Sequence, residues 1–356
     1  MINANIETVL NMAEQRKASD IHFTVGRPPV LRIRGELMPI DAEILTQQDV
    51  KDICYSIMNE EQIKIFESVG QVDFSWAMPN YNRYRVNVFK QKNSCTAALR
   101  MISNNIPTFS EIGLPPIFEQ LALKPRGLVL VTGPTGSGKS TTLAAMTGHI
   151  NKNKRKHILT IEEPIEYLHN HDQSIVNQRE VGSDTNSFAA ALRAALREDP
   201  DVILVGEMRD LETISTAVSA AETGHFVMST LHTTTAAQTV DRIIDSFDSS
   251  QQQQIRTQLA AILEGVICQQ LIRTADKTRM VPAFEILLVN DAVRNLIREG
   301  KVPQIDTILQ TNIKNGMVPM DYSLAQLVNS KTITKEDAFA RCVDQEILKN
   351  YLNYNL

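Results

Sequence analysis

The chain has 356 residues, 43% hydrophobic and 22% charged, ordinary for a soluble globular protein and more than one hydrophobic core usually serves, so two domains are the default. Its 36 Lys and Arg against 41 Asp and Glu leave a formal net charge of −5, which gives no bulk attraction to nucleic acid, although a local basic groove stays open. The sequence opens without a basic-then-apolar secretory leader. No apolar run approaches the ~18 residues a membrane span needs. Cys54, Cys95, Cys268 and Cys342 form no C-x-x-C pair, so reduced thiols in a cytoplasmic protein are expected, with neither a zinc site nor a disulfide framework.

Residues 3 to 16 carry Ile6, Val9, Leu10 and Ala13 at helical spacing and predict an amphipathic helix. Asp20 to Val25 reads as a strand and Gly26-Arg27-Pro28-Pro29 as a turn. Val30 to Leu37 alternates, Leu31 and Ile33 against Arg32 and Arg34, and reads as another strand. Gln47 to about Phe66 reads as one helical stretch through Val50, Ile53, Ile57, Ile63 and Phe66. Pro79-Asn80-Tyr81-Asn82 signals a hairpin; after it Tyr84, Val86 and Val88 share one strand face, and Arg83, Arg85 and Asn87 the other. Thr96 to Ile102 makes a further strand. Residues 1–102 therefore read as a small α+β domain with no catalytic motif of its own. Residues 103–116, polar at the start and containing Pro107, read as a linker, either a hinge or a plain surface loop.

From residue 117 to 356 the pattern changes to strands (128–132, 157–161, 202–205 and 226–231) separated by helices, the signature of a mainly parallel sheet covered on both faces. Such sheets bind ligands at the carboxyl ends of their strands. After about residue 250 the chain reads as mostly helical. The organising motif is Gly133, Pro134, Thr135, Gly136, Ser137, Gly138, Lys139, Ser140, Thr141 and Thr142, a complete G-x-x-x-x-G-K-[ST] between an apolar strand and a helix start. Its glycines let backbone wrap a polyphosphate, and N–H groups at the helix start point at anionic oxygens. Lys139 is placed to neutralise β- and γ-phosphates, and Ser140 to hold Mg²⁺.

Two strands end in carboxylates. The first, Ile158 to Ile161, runs into Glu162, Glu163 and Glu166, a crowd that a cation would relieve, although a solvated acidic loop is the plain alternative. The second, Val202 to Val205, has Gly206 where an aspartate is usual, followed by Glu207, which could reach Mg²⁺ through water or orient the nucleophile. Between them Phe188 to Glu198 reads as a helix with Arg193 and Arg197 on one face, and Arg209 follows the second acidic end. Each arginine is either solvated surface or a donor to a neighbouring subunit's γ-phosphate. His225 and His232 flank the strand at 226–231, as structural hydrogen-bonders or as phosphate contacts.

Taken together these stretches resemble the secretion-ATPase superfamily and, within it, the type IV pilus retraction ATPases (the PilT family). The resemblance spans nearly the whole chain: Ala18 to His22 looks like the N-terminal signature, residues 133–142 match the Walker A loop, Thr160 to Tyr167 the Asp box, Ile203 to Glu207 an atypical Walker B, Thr223 to Thr234 the His box, and Ala292 to Glu299 the C-terminal element of retraction enzymes. It implies an α/β fold, with a RecA-like P-loop ATPase domain preceded by a smaller α+β, PAS-like domain. It also implies a ring-shaped homohexamer that uses ATP and Mg²⁺, with ATP between the two domains and arginines donated around the ring. By position Glu166 would be the catalytic carboxylate of the Asp box and Glu207 the Walker B glutamate, while His225 and His232 would be the His-box histidines. Arg83, Arg85 and Arg100 would contact nucleotide from the N-terminal domain. Glu163 stands where the family usually has Asp, which could shift the metal geometry, and Val293 replaces the usual Ile.

The implied function is a motor ATPase that retracts pili. Its partners would be an inner-membrane platform protein and the pilus base, with a possible second retraction ATPase and no direct nucleic acid. Its place would be the inner face of the cytoplasmic membrane. An accessory retraction ATPase stays open. A pilus-assembly or secretion ATPase would be longer and commonly carries a tetracysteine insert. A RecA-like nucleic-acid motor is the more distant alternative.

Overall fold

The computed structural model describes residues 5–78 and 82–353. The chain divides into two compact units, residues 1–105 with 166–168, and residues 106–165 with 169–356.

The first unit contains α1 (Ile6–Gln15), β1 (Asp20–Phe23), β2 (Val30–Ile33), β3 (Glu36–Pro39), α2 (Gln47–Ser56), α3 (Glu60–Val69), β4 (Gln71–Ala77), β5 (Arg83–Gln91) and β6 (Ser94–Met101). Its six strands are ordered β3-β2-β1-β6-β5-β4, and every neighbouring pair is antiparallel. One face buries Tyr84, Val86 and Val88 against Val9 and Leu10 of α1, Val50 of α2 and Phe66 of α3. This is the strand face that the alternation predicts.

Two local expectations need correction. Val30 to Leu37 is not one strand but a hairpin, turned by Arg34 (φ 51°) and Gly35 (φ 87°), the pair of positive φ values a tight hairpin turn requires. Gln47 to Phe66 is two helices, because Asn59 starts α3 with a capping box, its side chain accepting from Gln62 N–H while the Gln62 side chain accepts from Asn59 N–H. The strands flanking the expected hairpin pair as predicted, Ala77 opposite Arg83, while residues 79–81 lie outside the described residues.

The second unit contains α4 (Ile117–Ala122), β7 (Gly127–Thr132), α5 (Lys139–Asn153), β8 (His157–Glu162), β9 (Ile175–Glu180), α6 (Phe188–Ala195), β10 (Val202–Val205), α7 (Leu211–Glu222), β11 (Phe226–Leu231), α8 (Ala236–Ile244), α9 (Gln252–Ile262), β12 (Leu263–Arg273), β13 (Met280–Leu288), α10 (Asp291–Arg298), α11 (Ile305–Thr311), α12 (Met320–Asn329), α13 (Lys335–Phe339) and α14 (Gln345–Asn353). Its seven strands run β13-β12-β7-β11-β10-β8-β9, parallel except for β13. Every residue of β7, β10 and β11 is buried, as strands covered on both faces must be.

The region after residue 250 is mostly helical, as expected, but not throughout. It contains the long pair β12 and β13, because α9 passes directly into β12 at Ile262 and Leu263 with no Gly or Pro to mark the change. Nor are residues 103–116 a free linker. Phe109 and Leu114 are buried with Phe118 in the second core, Phe109 stacks on His149 of α5 at 4.9 Å, and Ile106 lies 3.0 Å from where a Cβ on Gly148 would sit. The second unit is also discontinuous in sequence, since 166–168 pack with the first. There Leu168 N–H donates to Ser103 O at 2.9 Å.

Candidate functional site

Three parallel strands of the second unit bring candidate groups to one edge. β7 ends at Thr132 and opens into the Gly133–Gly138 loop; β11, beside it, ends at Leu231 and opens into His232; β10, beside β11, ends at Val205 and opens into Glu207. At ~4.8 Å per strand, Glu207 leaves the sheet ~10 Å from the phosphate-type loop.

The loop is shaped by an unexpected partner. Gly133 (φ +140°) and Gly138 (φ +88°) adopt backbone that side chains avoid. A Cβ would come within 2.2 Å of Gln269 O at the first and 2.8 Å of Gln269 Nε2 at the second. Gln269, on β12 and 3% exposed, donates to Ser137 O at 2.7 Å and accepts from Thr142 Oγ1 at 2.8 Å. It therefore pins the loop and the first turn of α5 together. Sequence reasoning missed it; the only signal was a Gln in an otherwise apolar run.

Gly133 and Ser137 are buried, while Pro134, Thr135 and Gly136 form an exposed crest. Lys139 Nζ donates to Gly133 O at 2.8 Å and Pro134 O at 3.0 Å. The N-caps of α6, α7 and α8 each carry a side-chain acceptor, Ser187, Asp210 and Thr235, but α5 starts at Gly138 with none. A 15-residue helix with no side-chain cap, preceded by glycines and carrying Lys139, Ser140 and Thr141 in its first turn, is a donor set that fits a polyphosphate. Among the described residues no group of three His, Cys, Asp or Glu side chains could hold a metal ion, so Mg²⁺ here would depend on Ser140, phosphate oxygens and water. Beside this turn lies a cavity of about 340 Å³, walled by Leu114, Thr141, Leu271, Met280, Val281 and Pro282.

The second cluster joins residues from two strand ends. Glu207 Oε2 lies 2.7 Å from Arg209 Nε and 3.4 Å from His232 Nε2. Glu207 is only 15% exposed, against 70% for Arg209 and 48% for His232. Gly206 explains why the carboxylate comes one residue late. Its N–H donates to Ile161 O at 2.7 Å, and a Cβ would lie 3.2 Å from that oxygen, so a side chain there would press on β8.

Other candidates lie elsewhere. His225 precedes β11, at the amino end of a six-residue strand, ~20 Å from the loop edge. Its Nδ1 is 2.9 Å from Ala220 O and 3.2 Å from Thr223 Oγ1. The two histidines flank the strand as expected, and His225, at its far end, has the structural one of the two expected roles: it ties down the end of α7. Arg193 pairs with Glu212 of α7. Arg197 lies beyond α6, which stops at Ala195 because the chain turns through Asp199 (φ 54°) before Pro200, so the two arginines do not share a helix face. Glu163 is exposed and follows β8, three strands from β7. Glu166 is exposed and belongs to the first unit. In that unit Arg85 and Arg100 are opposite each other on β5 and β6, and Arg100 is opposite Asp20 on β1. Asp20 takes Arg100 Nε at 2.9 Å. Burial works against its charge, but the Ser19 hydroxyl and Arg100 hold its carboxyl below the usual range.

The sequence matches the family described as Type II/IV secretion system protein over residues 1–301. The chain belongs to that family. It is 47% identical over 334 residues to the Type IV pilus retractation ATPase PilT of Pseudomonas aeruginosa, covering 94% of this chain and 97% of that one. It is 49% identical over 318 residues to the Twitching motility protein of Neisseria gonorrhoeae, covering 89% and 85%. The crystal structure of the pilus retraction motor PilT with bound ADP superposes with a TM-score of 0.90 at 48% identity, covering 98% of this chain and all of that one. Membership of this secretion-ATPase family fits the complete phosphate loop and the mainly parallel sheet.

Proposed function

We propose that this chain hydrolyses ATP to drive retraction of a type IV pilus, as a ring-shaped homohexamer at the cytoplasmic face of the inner membrane. The observation that carries the reading is the pairing of the uncapped, lysine-bearing loop with the Glu207 cluster two strands away, in a chain similar over its length to retraction ATPases.

Lys139, already folded over the loop on two carbonyls, would exchange them for β- and γ-phosphate oxygens, and the first-turn amides of α5 would take the remaining charge. The hydroxyl of Ser140 would hold Mg²⁺, which when bound screens the phosphate charge. The cavity beside Thr141 joins apolar walls, Leu114, Leu271, Val281 and Pro282, with the polar groups Glu111 and Arg279, a mixed lining of the kind that holds a nucleoside. Glu207, flanked by Arg209 and His232, is the group for orienting the attacking water, with Glu166 and Glu163 as further carboxylate candidates. Arg83, Arg85, Arg100 and Arg197 are the candidates for stabilising phosphate charge. Catalysis is positioning plus charge neutralisation, because phosphoryl transfer asks for little else. The membrane platform protein and the pilus base are the partners this reading requires.

Glu207→Gln tests it, since the substitution keeps shape and removes charge. The variant should bind ATP with near-normal affinity, lose ~10²–10³-fold in turnover, and leave cells carrying it as the sole copy hyperpiliated and non-motile. Wild-type turnover with normal motility would remove Glu207 from the mechanism.

A further inference from the structure

Beneath the carboxyl edge of the sheet lies a layer of polar side chains that ATP hydrolysis, as described, does not use. Glu285 on β13 is 5% exposed. Its Oε1 accepts the amide of Ala236, the first residue of α8, at 2.7 Å, and the amide of Met320, the first residue of α12, faces the same carboxylate. The N-cap of α12 is Pro319, which offers no side-chain acceptor. One interior carboxylate thus faces the positive ends of two helices and is bonded to one of them.

The layer continues sideways to the nucleotide edge. Glu285 is in register with Cys268 on β12, and Cys268 with Thr132 on β7, the residue before Gly133. The hydroxyl of Thr239, fully buried on α8 and beside Cys268, donates to Thr235 O at 2.7 Å and meets Thr233 Oγ1 at 2.7 Å. Residues 232–235, which bring His232 to Glu207, are therefore tied into the same layer as the root of the phosphate loop.

We propose that Glu285 is a positioning residue for the ATPase site, setting through α8 how the 232–235 segment holds His232 against Glu207, and that its proton controls this setting. The inference rests on the ATPase reading above. Burial pushes the Glu285 carboxyl up to about 7; the two amides work against that shift, and Asp306 and Asp321 reinforce it. The titratable groups facing it are Cys268 from β12, whose thiol burial raises well above its usual value, Asp306 from α11 and Asp321 from α12. As a carboxylate, Glu285 accepts from Ala236 at the start of α8 and faces the Met320 amide at the start of α12. Once protonated, one oxygen becomes a donor, and the charge that strengthened the bond to α8 and attracted the start of α12 is gone.

The test divides kcat of the wild type by kcat of Glu285→Gln across pH, at saturating Mg-ATP, so that groups titrating in both proteins cancel. The ratio should climb from near unity well below pH 7 to about tenfold well above it, with its midpoint near the Glu285 value of about 7 and equal KM in both proteins. A ratio that does not vary with pH overturns the proposal.

Thermal unfolding supplies an independent readout. The folded pKa is raised from the ordinary 4.5 to about 7, so the associated stability is present below the first value and lost as pH rises to the second. The wild-type Tm should fall relative to Glu285→Gln across that window. A constant difference contradicts the proposal, and because this measurement needs no turnover, failure of the ATPase reading is told apart from failure of this one. Should Glu285→Gln not fold, Thr239→Val keeps Glu285 and cuts the tie to residues 233–235. It should lower kcat severalfold at unchanged KM, and an unchanged kcat overturns the coupling.

Discussion

Lys139 was legible in the sequence and Gln269 was not, and the difference is physical. The loop's demands are local: positive φ at Gly133 and Gly138, a cation and a hydroxyl at the helix start. A ten-residue window therefore contains the whole signal. Gln269 acts from 132 residues beyond Ser137 in sequence, and only the parallel pairing of β12 with β7 brings it there. For His225 the sequence left two roles open for the opposite reason. It is close to His232 in sequence, but a strand lies between them and carries the two to opposite ends of the sheet. Gln269→Leu keeps the bulk and strands two buried groups, the Ser137 carbonyl and the Thr142 hydroxyl, at about 1–3 kcal/mol each. The urea midpoint should therefore fall, reporting a loss of about 2–6 kcal/mol with unchanged slope, and KM for ATP should rise. An unaltered midpoint would mean that the loop does not depend on this side chain.

At the scale of elements, apolar spacing marks where helix is but not where one helix stops and the next element starts. Asn59 and Gln62 cap the start of α3, a polar signal that the continuous apolar spacing from Val50 to Phe66 overrides, and α9 passes into β12 at Ile262 and Leu263 with no proline between them. The same passage leaves carbonyls at the end of α9 without helical partners, and α10 supplies them. Arg294 Nη1 donates to Ala260 O at 2.6 Å and Ala261 O at 2.9 Å, and Nη2 to Glu264 Oε1 at 3.1 Å. α10 is fixed at its own end too. Gly300 N–H returns to Ile297 O and Lys301 N–H to Leu296 O, with Gly300 at φ +69°, the double closure of a Schellman motif. Val293 and Ile297 are fully buried beneath it. Arg294→Ala should cost about 1.5–3 kcal/mol, the range for charge-assisted bonds at a helix end. A thermal scan checks this, and a Tm equal to wild type would show that α9 ends without help from α10.

For the whole molecule, the sequence pattern supplied the parallel sheet and the strand ends that matter, while the division into units came out differently from a cut at one polar stretch. Ile106, Phe109 and Leu114 join the second core, and 166–168 return to the first unit. Polar residues at 103–105 said nothing of the apolar ones that follow. Among the described residues no helix is long and apolar enough to cross a membrane. A motor of this kind converts one chemical event into movement, so the account stands on that event taking place at the Gly133–Thr142 loop. The most direct check is steady-state release of inorganic phosphate by the purified protein with Mg-ATP, wild type beside Lys139→Ala. The wild type should release phosphate continuously and Lys139→Ala should fall at least ~10²-fold, because the phosphates lose their cation. Equal release by the two proteins would place the chemistry somewhere other than this loop.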